Sequence, residues 1–261
     1  MPLFTERHEV ACQQNETDCM LVIFANQKGG VGKSTLSLLF AVFLGELGYR
    51  CRILDCDKQM SIVNRYLDGL RIEGIPFDSS QLENNLEIQL PRNRHALFDL
   101  QRMPVQFLSA VFQQALDAGD NKIVDPDHPV NIFDMPGHLD VDQMTPIFKM
   151  ADIIITPTAF TSLDVDSTMS FMKAIEQMHL RAQTFIVPNR VSARVSISER
   201  KSFEDRFRKA GYQLTPEIAQ TVNLTRYLFT THMSPVVKGL VSAAFIYLIT
   251  KGNIVPLSQR I

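Results

Sequence analysis

A short apolar run, a glycine-rich turn and a helical pattern follow one another near the start of the 261-residue chain, and this succession most constrains the fold. Met20 to Ala25 reads MLVIFA, a continuous apolar run typical of a parallel strand that is covered on both faces. The segment NQKGGVGKST follows, and from Ser34 apolar residues recur with a helical period up to Gly48, where the helix is expected to end. A strand, a tight turn and a helix in this order predict an α/β fold.

The rest of the chain repeats this alternation of apolar runs and helical patterns. Strands are predicted at four further positions and helices at four, namely strands at 51–54, 130–133, 152–155 and 184–187 and helices at about 105–118, 162–178, 199–210 and 236–249. The alternation predicts a doubly wound, mostly parallel sheet with helices on both faces. We interpret residues 20–261 as one domain after an N-terminal extension at 1–19. The polar stretch at about 70–103 is interpreted as an insertion or surface subdomain, with one short strand at Leu86 to Leu90.

Composition narrows the class of protein further. Hydrophobic residues make up 45% of the chain and the net charge is -2, which fits a globular domain and excludes a globally basic coat for nucleic acid. No apolar stretch approaches the roughly 20 residues of a membrane-spanning helix. The segment 1–19 lacks the apolar core of a secretory signal. A cytoplasmic protein is expected, and a nucleoid-associated one if it binds DNA.

The four cysteines lie in the first quarter of the chain, at Cys12, Cys19, Cys51 and Cys56. Cys51 and Cys56 fall in or beside a buried strand, which favours reduced thiols over a disulfide framework. The sequence after Cys56 holds no further cysteine, so this longer part cannot bind iron–sulfur clusters or zinc through sulfur.

The glycine-rich turn has the composition of an anion-binding loop. Its glycines allow the backbone to curl closely around an anion, and Lys33 can reach the β- and γ-phosphates of a nucleotide. Ser34 supplies a hydroxyl for Mg²⁺ at the N-terminus of the helix. We interpret the turn as a cradle for nucleotide phosphates. The residues expected to bind the phosphates are Gly29, Gly30, Val31, Gly32, Lys33, Ser34 and Thr35.

The turn departs from the generic pattern G-x-x-x-x-G-K-S/T at its first position, where Gln27 stands in place of glycine and Lys28 follows it. K-G-G-V-G-K-S-T, from Lys28 to Thr35, resembles the deviant Walker A motif of the ParA/MinD family of ATPases, in which an extra lysine is the hallmark. The resemblance extends over roughly Met20 to Lys251. It implies a P-loop ATPase that uses ATP and Mg²⁺ and forms a homodimer with ATP, with Lys28 contacting the phosphates of the partner subunit.

Three aspartates follow predicted strands and are candidates for the magnesium and water sites. Asp55 and Asp57 can divide the work between Mg²⁺ and an attacking water, although a solvated pair at a strand end is the alternative. Their segment resembles the family's D-x-D-P-Q motif with Lys58 in place of proline, which implies that Asp57 positions the water. VNIFDMPG at 130–137 resembles the family's Walker B strand, which implies that Asp134 holds Mg²⁺ through water.

Asn189 and Arg190 follow the predicted strand at 184–187, and both are candidate nucleotide-binding residues. A carboxamide both donates and accepts hydrogen bonds, which suits the edge of adenine, and the family places an asparagine here. Val191 and Ser192 stand where GTP-binding relatives place an aspartate, so ATP is favoured over GTP. The alternative is that Asn189 only caps a turn after Pro188.

Several branches of the family share ATP hydrolysis, and the branch determines what the ATPase moves or positions. The cysteine distribution excludes the iron-protein and metal-delivery branches. A short ParA-like partition or positioning ATPase, stimulated by a ParB-like partner protein, is the preferred hypothesis. An accessory ATPase of conjugation or another mobile element is one alternative. A MinD-like membrane-cycling ATPase is the other, but residues 236–249 carry only Lys238 as a charge and lack the basic face of a lipid-binding helix.

A local excess of basic residues at 190–209 is a candidate surface for nonspecific DNA in a nearly neutral chain. The equally plausible alternative is an ordinary charged helix with pairs at i and i+4. The candidate DNA-binding residues are Arg194, Arg200, Lys201, Arg206, Arg208 and Lys209.

Overall fold

The apolar run at the start of the chain forms a central strand of a parallel sheet in the computed structural model. The structure describes residues 19–85, 87–91, 96–120, 127–137, 141–225 and 232–254. Residues 1–18 of the expected N-terminal extension, with Cys12, lie outside the described residues, as does Leu86. Of the other cysteines, Cys51 and Cys56 are buried free thiols, and Cys19 is buried.

The described strands form one sheet. They are β1 (Met20–Phe24), β2 (Cys51–Asp55), β3 (Ile88–Gln89), β4 (Asp99–Arg102), β5 (Val130–Asp134), β6 (Ile153–Thr158), β7 (Gln183–Pro188) and β8 (Gln213–Leu214). Their order across the sheet is β3-β4-β2-β5-β1-β6-β7-β8. Every neighbouring pair is parallel except β3 and β4, which are antiparallel. The predicted doubly wound, mostly parallel sheet is confirmed.

Helices connect the strands and cover both faces. They are α1 (Lys33–Glu46), α2 (Ser61–Ile72), α3 (Gln81–Asn84), α4 (Val105–Asp117), α5 (Val141–Met150), α6 (Ser162–Gln177), α7 (Ile197–Lys209), α8 (Val222–Thr225) and α9 (Pro235–Lys251). Among the described residues, no helix combines the length and apolar character that crossing a membrane requires.

Strand β1 shows why both faces of the sheet are buried. Successive side chains of a strand point to opposite faces. Val22 and Phe24 therefore join the core under α1, α2 and α9, whereas Leu21 and Ile23 join the core under α4, α5, α6 and α7. A strand with two covered faces has no polar face, which explains the continuous apolar run.

The long apolar helix α9 packs against α1, on one face of the sheet. Phe245 contacts the rings of Phe40 and Phe43 at centroid distances of 5.1 and 5.5 Å. At the end of α1, the Glu46 carboxylate accepts hydrogen bonds from the Lys238 ammonium and the Met233 backbone N–H, both at 2.8 Å. The final helix is therefore a core helix, as its composition predicts.

The stretch at 70–103 contributes strands to the main sheet. The expected strand at Leu86 to Leu90 is the short β3, and β4 at Asp99–Arg102 pairs with β2 in parallel. Sequence analysis found no strand at 99–102, because DLQR is mostly polar. Its Gln101 is buried and donates a hydrogen bond to the Glu87 carboxylate at 2.8 Å.

Candidate nucleotide site

The predicted site residues meet at the carboxyl-terminal edge of the sheet. The register pairs Asp134 at the end of β5 with Phe24 at the end of β1 and with Asp55 at the end of β2. Because these strands are parallel, the glycine-rich loop after β1 and the two carboxylates emerge at the same edge. Ligands of open α/β sheets bind in this position.

The glycine-rich loop is shaped by contacts from outside it. Gly32 has a φ of +96°, and a Cβ atom there would lie 2.3 Å from Nδ2 of Asn189. That amide instead donates a hydrogen bond to the Val31 carbonyl at 2.8 Å, and the Arg190 guanidinium donates one to the Gly30 carbonyl. Asn189 and Arg190 therefore contact the phosphate loop directly, and glycine at position 32 is required by both conformation and space.

Asn26 is a site residue that sequence analysis missed. It is fully buried, and its amide donates to the Pro157 carbonyl at 2.8 Å and the Thr168 hydroxyl at 3.0 Å. Its side-chain oxygen accepts the Lys28 backbone N–H at 2.9 Å. Asn26 thus fixes the start of the loop to β6 and α6. Its position directly before the loop was the available signal.

The two lysines of the loop lie in different environments. Lys33 is 6% exposed, and its ammonium donates a hydrogen bond to the Lys28 carbonyl at 3.1 Å. Burial lowers the Lys33 pKa, whereas the nearby carboxylates of Asp134 and Asp57 raise it. The Lys28 side chain is 44% exposed, and its ammonium lies 3.9 Å from the Asp164 carboxylate. Lys33 therefore faces the site interior and Lys28 the solvent side of the loop.

Asp134 is a buried carboxylate whose surroundings suit the binding of a cation. It is fully buried, and neither of its oxygens has a hydrogen-bond partner within the described structure. Burial, and next the charge of Asp55, raises its pKa to about 8, although the Ser34 hydroxyl and the Lys33 ammonium lower it. A carboxylate and a hydroxyl are oxygen ligands of the kind Mg²⁺ takes, so this pair fits the ion.

The Asp55 carboxylate already accepts hydrogen bonds from backbone N–H groups. It accepts the N–H groups of Asp57 at 3.2 Å and of Ile62 and Val63, each at 3.1 Å. Burial raises its pKa to about 6 in spite of these hydrogen bonds. The residue closes the turn between β2 and α2. Of the carboxylates expected near Mg²⁺, Asp134 is the one with unpartnered oxygens.

Asp57 is half-buried and lines the cavity with the phosphate loop. One of its oxygens accepts the Gln59 backbone N–H at 2.9 Å. The described residues contain no group of three or more His, Cys, Asp or Glu side chains suited to a metal. A magnesium site at Ser34 and Asp134 would use a hydroxyl, one carboxylate, water and phosphate oxygens.

A cavity of about 690 Å³, a size typical of small-molecule sites, is lined by Lys33, Ser34 and Asp57 together with the glycines of the loop. One end lies beside Asn189 and Arg190 and is closed by Gln220, Thr221 and Leu224. These three residues follow β8 and were missed, because nothing in their local sequence marks them as a wall of the site. The other end extends past Pro136 and Gly137 towards α2, α4 and α5. Gly137 lies against the loop, since a Cβ there would be 3.3 Å from Gly29.

The candidate DNA-binding residues divide into two groups. Arg200 pairs with Glu217 at 2.5 Å, Arg206 with Asp166 at 2.6 Å and Arg208 with Glu204 at 3.1 Å. The others are exposed and form no ion pair within the described part of the chain. They are Arg194, Lys201 and Lys209.

Fold and site together define a P-loop nucleotide-binding protein. A family model described as the CobQ/CobB/MinD/ParA nucleotide-binding domain matches residues 22–232, and the chain belongs to this family. A search of the curated proteins finds no match.

Solved structures show the same fold at low sequence identity. A candidate plasmid partition protein from Borrelia burgdorferi B31, bound to AMPPNP, is 18% identical with a TM-score of 0.66, over 89% of this chain and 99% of that one. The MinD cell division protein of Aquifex aeolicus is 16% identical with a TM-score of 0.60, over 92% and 99%. Cobyrinic acid a,c-diamide synthase from Mycobacterium smegmatis, with an ATP analogue and magnesium, is 19% identical with a TM-score of 0.56, over 88% and 92%.

Proposed function

We propose that the protein is an ATP-dependent dimerisation switch of the ParA type, which hydrolyses ATP slowly. The observation that carries this proposal is the buried, unpartnered Asp134 carboxylate beside Ser34 and Lys33 at the mouth of the glycine loop. A nucleotide with its Mg²⁺ supplies the positive charge that this carboxylate lacks. Similarity to structures with bound ATP analogues supports a nucleotide as the ligand.

Each site residue has a role in this proposal. Lys33 and the loop amides bind the β- and γ-phosphates, while Ser34 and Asp134 hold Mg²⁺, the latter through water. Bound Mg²⁺ would neutralise charge on the phosphates. Asp57 orients the attacking water at the edge of the cavity. Lys28, on the solvent side of the loop, contacts the phosphates of a second subunit.

The base end of the cavity is assigned to adenine. The Asn189 amide nitrogen donates a hydrogen bond to the Val31 carbonyl. The side-chain oxygen of Asn189 would therefore be the group that accepts a hydrogen bond from the adenine amino group. Gln220 and Thr221 provide further polar groups on the same wall.

The switch is tested by measuring nucleotide affinity and mass in solution. The wild type should bind ATP in the presence of Mg²⁺ and change from monomer to dimer with ATP but not with ADP, as measured by light scattering. Lys33→Ala should lose nucleotide affinity, and the exposed Lys149→Ala serves as the matched control. Unchanged ATP affinity in Lys33→Ala would refute the assignment of the phosphate loop, and one mass with both nucleotides would refute the switch.

We further propose that the ATP-bound dimer binds DNA without sequence preference through Arg194, Lys201 and Lys209. Exposed cations without an ion pair are available to phosphates, and each phosphate contact adds about -0.9 to the slope of log K against log salt. Arg200, Arg206 and Arg208 contribute less, because each already has a carboxylate partner.

This proposal is tested by DNA retention in ATP at several salt concentrations. Changing Arg194, Lys201 and Lys209 together to Glu should abolish retention and keep ATP-dependent dimerisation. A control with the same change in charge replaces three exposed cations elsewhere, at Arg71, Lys149 and Lys251. Equal loss in both triple variants would indicate an effect of net charge only, and normal retention in the first would refute the surface.

A further inference from the structure

The cavity extends beyond the phosphate loop on the side away from the base. We call this part the outer lobe and define it by the lining residues Lys58, Gln59, Ser61, Arg65, Gln106 and Gln143. These residues follow β2, β4 and β5, whereas the base end follows β7 and β8. The phosphate loop follows β1, which lies between the two groups of strands in the sheet order. The outer lobe is therefore adjacent to the position of the terminal phosphate.

Arg65 is the unusual residue of the outer lobe. Its Nη1 atom is buried and has no hydrogen-bond partner in the described structure. The other described ions of α2 are different, since Arg71 and Asp68 are exposed and pair with each other at 3.0 Å. Burying a guanidinium N–H without an acceptor is unfavourable. Arg65 also lines the cavity, so an acceptor that reaches its guanidinium from the lobe would offset this cost.

The chemistry of the lining indicates which acceptor fits. Besides Arg65 the lobe offers the Lys58 ammonium, three carboxamides and the Ser61 hydroxyl, all of which can donate hydrogen bonds. Asp57 is the one carboxylate among the described residues of the cavity wall. It lies near Lys33, on the side of the cavity that the phosphate loop forms. A guanidinium matches the oxygens of phosphate and carboxylate groups in particular.

We infer that the outer lobe is a second oxyanion site, with Arg65 as its principal ligand, and that it receives the inorganic phosphate released at the loop. The source of the phosphate rests on the proposed ATP hydrolysis. The site itself does not, since a small carboxylate ligand shares the same recognition chemistry. A phosphate held by Arg65 has left the loop but not the protein.

The site is tested by calorimetric titration of the full chain with inorganic phosphate and, separately, with malonate. Both titrations use the Lys33→Ala background, in which the loop no longer competes for anions. Adding Arg65→Gln should weaken binding of the preferred anion at least tenfold, Arg65→Lys should recover part of it, and Arg71→Gln on the same helix should leave it unchanged. Tighter binding of phosphate supports the release site, and tighter binding of malonate overturns that source while retaining the oxyanion site.

A stability measurement separates a ligand role from a structural one. If Nη1 lacks a partner, Arg65→Gln should unfold at the same temperature as the wild type or higher. A markedly lower unfolding temperature, or an unchanged affinity for both anions, would overturn the inference. A failure of the proposed switch would instead appear as absent ATP binding, or as one mass with ATP and ADP, in the wild type, while the anion titrations in the Lys33→Ala background would still be informative.

Discussion

Replacing Asp134 by Asn should stabilise the nucleotide-free protein while it destroys the magnesium site. The carboxylate is fully buried without a hydrogen-bond partner among the described residues, and Asp55 lies beside it. Asn has nearly the same shape and no charge, and its amide can donate a hydrogen bond towards Asp55. Removing this buried carboxyl group, which has no hydrogen-bond partner and takes up a proton because burial raises its pKa, should add at least about 1–3 kcal/mol to the free energy of unfolding.

The effect depends on pH in a direction that the pKa determines. Burial, with the Asp55 charge, raises the Asp134 pKa from 3.8 to about 8, so the folded protein binds more protons than the unfolded chain between these values. Stability from this group is therefore highest below pH 4 and decreases as pH rises towards 8. Each pH unit in this window corresponds to about 1.4 kcal/mol, so the advantage of Asp134→Asn should grow by at most about 3 kcal/mol between pH 5 and pH 7.

Thermal unfolding of the metal-free wild type and Asp134→Asn at several pH values measures this difference. A change of 1 kcal/mol moves the unfolding temperature by about 2–4 °C in a domain of this size class. ATP with Mg²⁺ should raise the unfolding temperature of the wild type, and the variant should lose the part of this rise that requires Mg²⁺. Equal or lower stability of the metal-free variant, or an unchanged requirement for Mg²⁺, would refute the reasoning.

Three further substitutions probe the loop and the core. Gly32→Ala should abolish nucleotide binding and lower the free energy of unfolding by about 1–3 kcal/mol, because the added Cβ would clash with Asn189 and φ is positive. Calorimetry measures the binding and thermal unfolding the stability, and normal nucleotide binding would contradict this prediction. Lys28→Ala should bind ATP normally but hydrolyse it at least about 10³-fold more slowly, and full turnover would exclude the role in the second subunit. Glu46→Gln should cost about 1–2 kcal/mol at pH 7 through its contact with Lys238. Burial raises the Glu46 pKa, but the hydrogen bonds from Lys238 and Met233 outweigh it, and the pKa lies below its usual value of 4.5. In urea unfolding, the difference from wild type should therefore be full at pH 7 and decrease as the pH falls through the lowered pKa.

The phosphate loop could be predicted because its chemistry is contiguous. Lys28 to Thr35 hold the glycines, the lysines and the hydroxyl within eight residues, and the strand before them is apolar on both faces. The strands that lead to Asp55, Asp134 and Asn189 likewise carry apolar residues directly before these positions. Each ends at the edge of the sheet where the loop emerges.

Some of the missed elements, such as β4 and α5, have polar or interrupted patterns, whereas the missed helix α2 does not. β4 lacks an apolar run. Its buried Gln101 is tolerated in the sheet because the side-chain amide donates a hydrogen bond to the Glu87 carboxylate. Helix α5 contains Pro146, which reads as a helix breaker in a single sequence. Helix α2 buries Ile62, Val63, Tyr66, Leu67 and Leu70 at helical spacing, so its pattern was present in the sequence.

The basic segment at 190–209 shows a different limit of sequence reasoning. Its count of charges is local, but two of the counterions come from elsewhere in the chain. Glu217 lies beyond β8 and pairs with Arg200, and Asp166 lies on α6 and pairs with Arg206. The sequence alone therefore overstates the positive charge that is available to DNA. The candidate DNA-binding surface is reduced to the cations that form no ion pair within the described residues.

The positions of the two loop lysines support a division of labour between subunits. Lys33 is buried, donates a hydrogen bond to the Lys28 carbonyl and lies near Asp134, a position suited to a nucleotide bound in its own loop. Lys28 projects from the same few residues to the solvent side, and its described contact is a loose 3.9 Å pair with Asp164. An exposed pair of this kind contributes little free energy, so a better anion can displace Asp164. The triphosphate of a second subunit would be such an anion, and dimerisation would then bring both lysines to one γ-phosphate from opposite sides.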